Sequence, residues 1–258
     1  MDLKISNKTA LITGAGRGLG QGICHSLAQE GVKIIGCSRT KSDLDELSSN
    51  LNGEGHKFID LDLEKQDGPK KLIQFLRKKN ISPDIIVNNV GGNLNLTDPL
   101  GPLEEWKRVM RLNVEIAIEI NREFIPEMRK RKWGRICHIS SISALENQGP
   151  PSYCAAKSAL NAYVRSLGRF VSPENVILTS VMPGAVLTPG GYWDDALKNR
   201  PNHVSKYLND RMAIKRFGEI KEISELVTFM CSEHSSFCVG TAVLADGGQG
   251  RLFYPIEN

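Results

Sequence analysis

A short β-forming run followed by a glycine-rich turn is the feature that most restricts how this chain folds. The apolar run Thr9–Thr13 is followed by Gly14, Gly16, Gly18 and Gly20, and a helical pattern then begins. A strand, a tight turn and a helix in this order predict the first unit of a parallel sheet. Glycines let the backbone approach a pyrophosphate, and amides at the helix start donate to it. The literal G-x-G-x-x-G fingerprint is absent, so an ordinary tight turn remains the alternative.

The same alternation of strand and helix continues along the chain and predicts an α/β fold. Apolar or β-rich runs predict further strands at 33–37, 57–60, 84–88, 136–139, 176–181 and 241–244. Helical patterns separate them, the longest from Leu103 to about Lys132 with a break near Asn113. Such alternation favours a parallel sheet covered by helices on both faces. No linker divides the 258 residues, so we expect one domain over 1–258.

Composition narrows the functional classes to small-molecule chemistry. A formal charge of +4 is too small to indicate nucleic-acid or membrane binding, and no apolar run is long enough to span a membrane. The six cysteines lack C-x-x-C spacing, as expected of reduced thiols, and the five histidines lack metal-ligand spacing. We therefore expect a cytoplasmic protein with a small-molecule substrate, no catalytic metal and no nucleic-acid or membrane partner.

Two arginines indicate which dinucleotide would bind. The second strand ends at Ser38 and Arg39, where the adenosine ribose lies in a βαβ unit, and Arg17 lies in the glycine turn. Two guanidinium groups suit a 2′-phosphate, so NADP(H) is the preferred cofactor, with NAD(H) possible. The alternative is that both are ordinary surface arginines. Asp62, after the third strand, would meet the adenine amino group or would simply be a solvated loop carboxylate.

Tyr153 and Lys157 are the strongest candidates for chemistry. In a helix they lie one turn apart on the same face, where the ammonium would favour the phenolate and lower the pKa of the phenol. Ser140 and Ser141 follow an apolar strand that could bring a hydroxyl to the same place. Asn113, in mid-helix, is either solvent-facing, at a kink, or the holder of a proton-relaying water. Y-x-x-x-K alone is common, so a solvated helix face is the alternative.

Residues 189–217 are polar and aromatic and form the candidate substrate lid. The residues that suggest a polar substrate are Asn93, Asn95, Trp193, Asp194 and Asp195.

Taken together, the motifs resemble those of the short-chain dehydrogenase/reductase family over essentially the whole chain. They are Thr13-Gly14-x-x-x-Gly18-x-Gly20, Asn88-Asn89-x-Gly91, Asn113, Ser141, Tyr153-x-x-x-Lys157, Pro183-Gly184-x-x-x-Thr188 and Asp246-Gly247-Gly248. The resemblance implies a Rossmann-like, doubly wound sheet of about seven parallel strands. It also implies a homo-oligomer, a dimer or tetramer, assembled through the helices that hold Asn113 and Tyr153.

The resemblance further assigns roles. Tyr153 would protonate the substrate carbonyl, and Lys157 would lower the pKa of Tyr153 and hold the nicotinamide ribose. Ser141 would form a hydrogen bond with the reacting oxygen, with Ser140 as the second candidate for this role. Asn113 would anchor a water that relays protons. The cofactor set comprises Gly14, Gly16, Arg17, Gly18, Leu19, Gly20, Ser38, Arg39, Asp62, Leu63, Asn89, Gly91, Tyr153, Lys157, Pro183, Gly184, Val186 and Thr188.

Three functions remain open at this stage. The first is NADP(H)-dependent interconversion of a carbonyl and a secondary alcohol on a polar small molecule such as a sugar derivative. The second is reduction of a 3-oxoacyl thioester, against which Glu174 counts, because reductases of that kind tend to present a basic residue there. The third is a dinucleotide-binding regulator without turnover.

Overall fold

The computed structural model describes residues 1–146 and 148–251, and it contains a seven-stranded parallel sheet. The strands are β1 Thr9–Thr13, β2 Lys33–Ser38, β3 Lys57–Asp60, β4 Ile85–Asn88, β5 Gly134–Ile139, β6 Val176–Pro183 and β7 Ala242–Ala245. Their order is β3-β2-β1-β4-β5-β6-β7. The order reverses between β1 and β4, which opens a crevice at their carboxyl ends. The predicted α/β class and the doubly wound parallel sheet are confirmed.

Nine α-helices connect or flank the strands in the described residues. They are α1 Gly18–Gln29, α2 Lys41–Asn50, α3 Gly68–Lys78, α4 Leu103–Met110, α5 Ile116–Lys130, α6 Pro151–Val171, α7 Tyr192–Asn199, α8 Pro201–Arg211 and α9 Ile220–Met230. The element bounds agree with those expected from the sequence to within two residues wherever a single element was predicted.

The sheet lies between two apolar layers. On one face, Ile23 and Leu27 of α1 pack with Val227 of α9, and on the other, Phe124 of α5 packs with Val164 of α6. Every residue of β5 and β6 is buried, which explains why these strands appear in the sequence as nearly continuous apolar runs.

Two segments depart from regular helix or loop. The break expected near Asn113 is a π-helical turn, Arg111–Glu115, between α4 and α5. The lid at 189–217 contains the helices α7 and α8. Within the described ranges, no helix is both long and apolar enough to cross a membrane.

Candidate active site

A cleft of about 780 Å³ runs along the carboxyl ends of the central strands. All the cofactor residues predicted from the sequence line it, except Gly16 and Gly18. Ser141, Tyr153 and Lys157 line the same cleft, whereas Asn113 lies behind it. The tertiary structure therefore brings together residues that are spread over most of the chain.

The glycine turn has the conformation that a phosphate cradle requires. Gly14 and Gly18 have φ of 66° and 56°, in the left-handed region that favours glycine. A Cβ at Gly20 would lie 2.0 Å from the carbonyl oxygen of Gly14, so only glycine lets α1 begin so close to β1. No side chain caps the start of α1, and its first turn holds no acidic residue. Its amides and dipole therefore suit an anionic group.

The two arginines lie at the adenosine end of the cleft. Arg17 and Arg39 are exposed and line the cleft, and neither forms an ion pair with another described residue. A Cβ at Gly16 would lie 2.8 Å from Ser38 Oγ, so the glycine turn passes directly against the end of β2. Asp62 also lines the cleft, and its Oδ1 accepts from the backbone N–H of Glu64 at 3.0 Å. These residues fit a 2′-phosphorylated adenosine.

Asn89 fastens the loop after β4 to the glycine turn. Its side-chain amide donates to the carbonyl oxygens of Thr13 and Gly14 at 3.0 and 3.1 Å. Thr13 Oγ1 accepts from the backbone N–H groups of Asn89 and Val90 at 3.0 and 3.1 Å. The two loops at the point of reversed strand order therefore form one hydrogen-bonded unit.

Helix α6 brings Tyr153 and Lys157 into the cleft one turn apart. Lys157 is 2 % exposed, and its Nζ donates to the carbonyl oxygen of Ile139 at 2.8 Å. The same Nζ lies 5.6 Å from the centroid of the Tyr153 ring. Burial lowers the pKa of Lys157 to about 7. A solvated helix face is thus excluded for Lys157.

The pKa of Tyr153 departs from the sequence prediction. Desolvation raises the pKa of the phenol above its ordinary value, although a hydrogen bond with Ser141 acts in the opposite direction. The net direction is therefore opposite to the lowering expected from the sequence, because burial of the phenol outweighs the hydrogen bond with Ser141.

The two serines after β5 both line the cleft but have different hydrogen-bond partners. Ser141 Oγ lines the cleft and lies 3.1 Å from Ser143 Oγ. Ser140 is 3 % exposed, and its hydroxyl donates to the carbonyl oxygen of Lys157 at 3.4 Å. The contact with Tyr153 is made by Ser141.

Asn113 is buried in the π-helical turn and joins this turn to the backbone of Gly92 in the loop after β4. Its Nδ2 donates to the carbonyl oxygens of Gly92 and Val109, each at 2.8 Å, and its Oδ1 accepts from the N–H of Gly92 at 3.0 Å. A Cβ at Gly91 would meet both Asn113 Oδ1 and Lys157 Nζ at 2.8 and 2.9 Å. Of the interpretations open from the sequence, a solvent-facing Asn113 is wrong, and the helix irregularity is present.

Sequence reasoning missed a buried polar layer beneath the cleft. The Nε2 atom of His138 lies 3.2 Å from Asn88 Nδ2 and 3.0 Å from Asn121 Nδ2, and its Nδ1 lies 3.2 Å from the carbonyl oxygen of Thr179. Asn121 also donates to Tyr163 Oη at 3.2 Å. Burial lowers the pKa of His138 to about 4, so the ring is neutral. No local pattern marks these residues, because they come from three strands and two helices.

The lid presents aromatic groups to the cleft and charged groups to solvent. Tyr192 and Trp193 line the cleft with Asn93 and Asn95. Asp194, however, accepts from the N–H of Gly190 and from Lys198, each at 2.9 Å.

Asp195 is likewise directed away from the cleft, since its carboxylate accepts from Asn199 and Arg200 within α7 and at its end. The expectation that the two aspartates make the site polar is therefore wrong. Their positions at the start of α7 explain their contacts.

Comparison with known proteins shows matches along almost the entire chain. The model of the family described as short chain dehydrogenase matches residues 8–192. A 3-oxoacyl-(acyl-carrier-protein) reductase of Buchnera aphidicola is 32% identical over 247 residues, which cover 95% of this chain and 98% of that protein.

Solved structures give the same result. The L-sorbose reductase of Gluconobacter frateurii, complexed with NADPH and L-sorbose, superposes with a TM-score of 0.89 at 30% identity and covers 96% of this chain and 98% of its own. A 3-oxoacyl-(acyl-carrier-protein) reductase of Agrobacterium tumefaciens with NADP bound gives 0.86 at 25% identity, covering 95% of both chains.

Proposed function

The chain belongs to the short-chain dehydrogenase family, and we propose that it is an NADP(H)-dependent oxidoreductase that interconverts a ketone and a secondary alcohol on a small polyhydroxylated substrate. The observation that carries the substrate class is that two asparagines, Asn93 and Asn95, line the same cleft as the aromatic side chain of Trp193. Side-chain amides satisfy hydroxyl groups, and an aromatic face packs against C–H groups.

The chain's own residues would perform the proton chemistry. Bound NADPH supplies the hydride. The hydroxyl of Tyr153 gives a proton to the carbonyl oxygen, while Ser141, in contact with Tyr153, orients that oxygen. Lys157, with a pKa of about 7, holds or releases a proton at Nζ near neutral pH. Asn113 keeps the backbone of Gly92 fixed beside them.

The residues present fit NADP(H). The glycine turn and the start of α1 would hold the pyrophosphate, and Arg17 and Arg39 would hold the 2′-phosphate. The L-sorbose reductase complexed with NADPH and the NADP-bound Agrobacterium reductase support the same preference.

The thioester alternative has support from the relatives that are named 3-oxoacyl-(acyl-carrier-protein) reductases. An acidic carrier protein needs cationic groups to dock against. Here Glu174 accepts from Arg129 at 2.8 Å, so the carboxylate neutralises the arginine beside it. This contact favours the free small-molecule substrate over the carrier-bound one.

The test is NADPH oxidation by the purified protein over a matched panel. L-sorbose and D-fructose would represent keto-sugars, and acetoacetyl-coenzyme A would represent thioesters, each with NADH run alongside and with Tyr153→Phe as the catalytic control. We expect turnover of a keto-sugar with NADPH. Selective turnover of the thioester would overturn the substrate class, and NADPH binding without turnover of any carbonyl would favour a regulatory role.

We also infer assembly into a homo-oligomer. Phe170 at the end of α6 and Phe237 before β7 are 66 % and 99 % exposed, and an interface over either residue would bury apolar surface. Light scattering coupled to gel filtration measures the mass directly, and a single species of about 28.5 kDa would contradict the inference.

A further inference from the structure

One glutamine near the carboxyl end of the described chain connects the two sides of the cleft. Gln249 is 2 % exposed and follows the turn after β7, where Gly247 and Gly248 have φ of 61° and 72°. A buried side-chain amide needs partners for both its oxygen and its nitrogen. The partners of the Gln249 amide lie in the turn at 183–188, on α8 and at Gln148, which are far apart in the sequence.

The oxygen of Gln249 holds the turn at residues 183–188. Its Oε1 accepts from the backbone N–H of Ala185 at 2.7 Å. The carbonyl oxygen of Ala185 accepts from the N–H of Gly218 at 2.9 Å, so both sides of this residue are fixed. A Cβ at Gly184 would lie 2.6 Å from Gln249 Oε1, which makes glycine a condition of the contact. Val186 of the same turn lines the cleft.

The nitrogen of Gln249 holds the lid. Its Nε2 donates to Tyr207 Oη at 2.7 Å and, over a longer distance of 3.5 Å, to Gln148 Oε1, and Tyr207 belongs to α8. The Tyr207 ring lies 4.2 Å, centroid to centroid, from Trp193, which in turn packs 4.7 Å from Phe217. Trp193 lines the cleft, so Tyr207 is in direct contact with a residue of the cleft wall.

We propose that Gln249 is a positioning residue that ties the turn at 183–188 to the aromatic wall of the lid, so that cofactor binding at the turn stabilises α8. This inference rests on the proposed function, in which Pro183, Gly184, Val186 and Thr188 of that turn line the cleft as cofactor residues. A displacement of the turn would be passed through the buried Gln249 amide to Tyr207 and from there to Trp193. Trp193 would thus reach its final position in the cleft only when the cofactor is bound.

The test measures hydrogen exchange of the full chain by mass spectrometry, with and without saturating NADPH. In the wild type we expect NADPH to slow exchange of the backbone amides at 201–211 about tenfold. Tyr207→Phe removes only the hydroxyl and leaves the bond to Ala185, so NADPH should still bind while the slowing at 201–211 falls below about twofold. Gln249→Met removes the bonds to Ala185 and Tyr207 together with the longer one to Gln148, and the double variant should show no further loss beyond Gln249→Met.

Lys206→Ala is the matched control, because it removes an exposed ion pair with Asp210 on the same helix and leaves the Gln249 contacts untouched. It should retain the wild-type slowing. Equal slowing in the wild type and Tyr207→Phe would overturn the proposal, as would protection of the glycine turn at 14–20 without any effect at 201–211. Absence of NADPH protection at 14–20 would overturn the placement of the cofactor as well. None of these results depends on which carbonyl is turned over.

Discussion

On one side of the cleft, α6 presents Tyr153 and Lys157 from a buried polar scaffold, whereas on the other side α7 and α8 carry ion pairs with exposed partners within each helix. Lys157 is 2 % exposed and bonded to the end of β5. In the ion pair between Lys206 and Asp210, the side chains are 80 % and 51 % exposed. Buried polar groups are costly to displace, while exposed pairs contribute little. Under the proposed function, the side that would carry the proton chemistry is held by buried polar contacts, whereas the side that would contact the substrate carries exposed ion pairs.

The largest effect is expected on the side of α6, where Tyr153 and Lys157 lie. Tyr153→Phe removes the proposed proton donor and keeps the ring, so turnover should fall by roughly a hundred- to ten-thousand-fold. NADPH affinity, measured by nucleotide fluorescence, should remain within about threefold of the wild type, because the variant keeps the aromatic ring and all other cofactor residues. Retention of full turnover would remove the assigned role of Tyr153.

The exposed arginines test whether charges that contribute little to stability can still contribute strongly to cofactor affinity. Arg39→Ala should weaken NADPH binding by roughly ten- to a hundredfold, because a charge-assisted bond to phosphate is worth about 1.5 to 3 kcal/mol. NADH affinity should be unchanged, which makes NADH the internal control. Parallel losses for both nucleotides would place Arg39 outside the 2′-phosphate site.

The buried polar layer gives a pH-dependent prediction. The pKa of His138 is about 4 in the folded protein and close to 6.5 when unfolded, so the unfolded chain binds more protons between these values. The stabilising contribution of neutral His138 is therefore complete above pH 6.5 and is lost as pH falls towards 4. The loss is on the order of 3 kcal/mol in the free energy of unfolding.

Urea unfolding at several pH values measures this contribution. His138→Gln, which cannot titrate, should be less stable at neutral pH but should lose less stability between pH 6.5 and 4. If the free energy of unfolding depends on pH in the same way in the variant and the wild type, groups other than His138 cause that dependence. The buried polar layer would then make no special contribution to the pH dependence of stability.

The smallest effect is expected on the lid surface. Lys206→Ala removes one exposed pair within α8 and should leave the midpoint of thermal unfolding and the turnover unchanged within error. A clear loss of turnover would show that α8 transmits more than the Gln249 contact, and the contrast between the two sides would weaken.

Local patterns in the sequence predicted the strands and the glycine turn, because burial on both faces and positive φ each leave a residue-level signature. The π-helical turn was only indicated as a break near Asn113, since the hydrogen bonds to Gly92 that stabilise it come from another loop. The contribution of Asp194 and Asp195 was misjudged for a related reason: composition shows that they are charged, but in α7 their carboxylates bond to partners that do not line the cleft.

The sequence by itself determined the fold class, the family and the short-range pairs such as Tyr153 with Lys157, because these depend on spacings within one element. Only the tertiary structure decided the state of those groups. Burial raises the pKa of Tyr153 and lowers that of Lys157, and burial depends on what packs around α6. Only the tertiary structure, likewise, joined Gln249 to Ala185, since residues 64 positions apart in sequence meet when β6 and β7 pair.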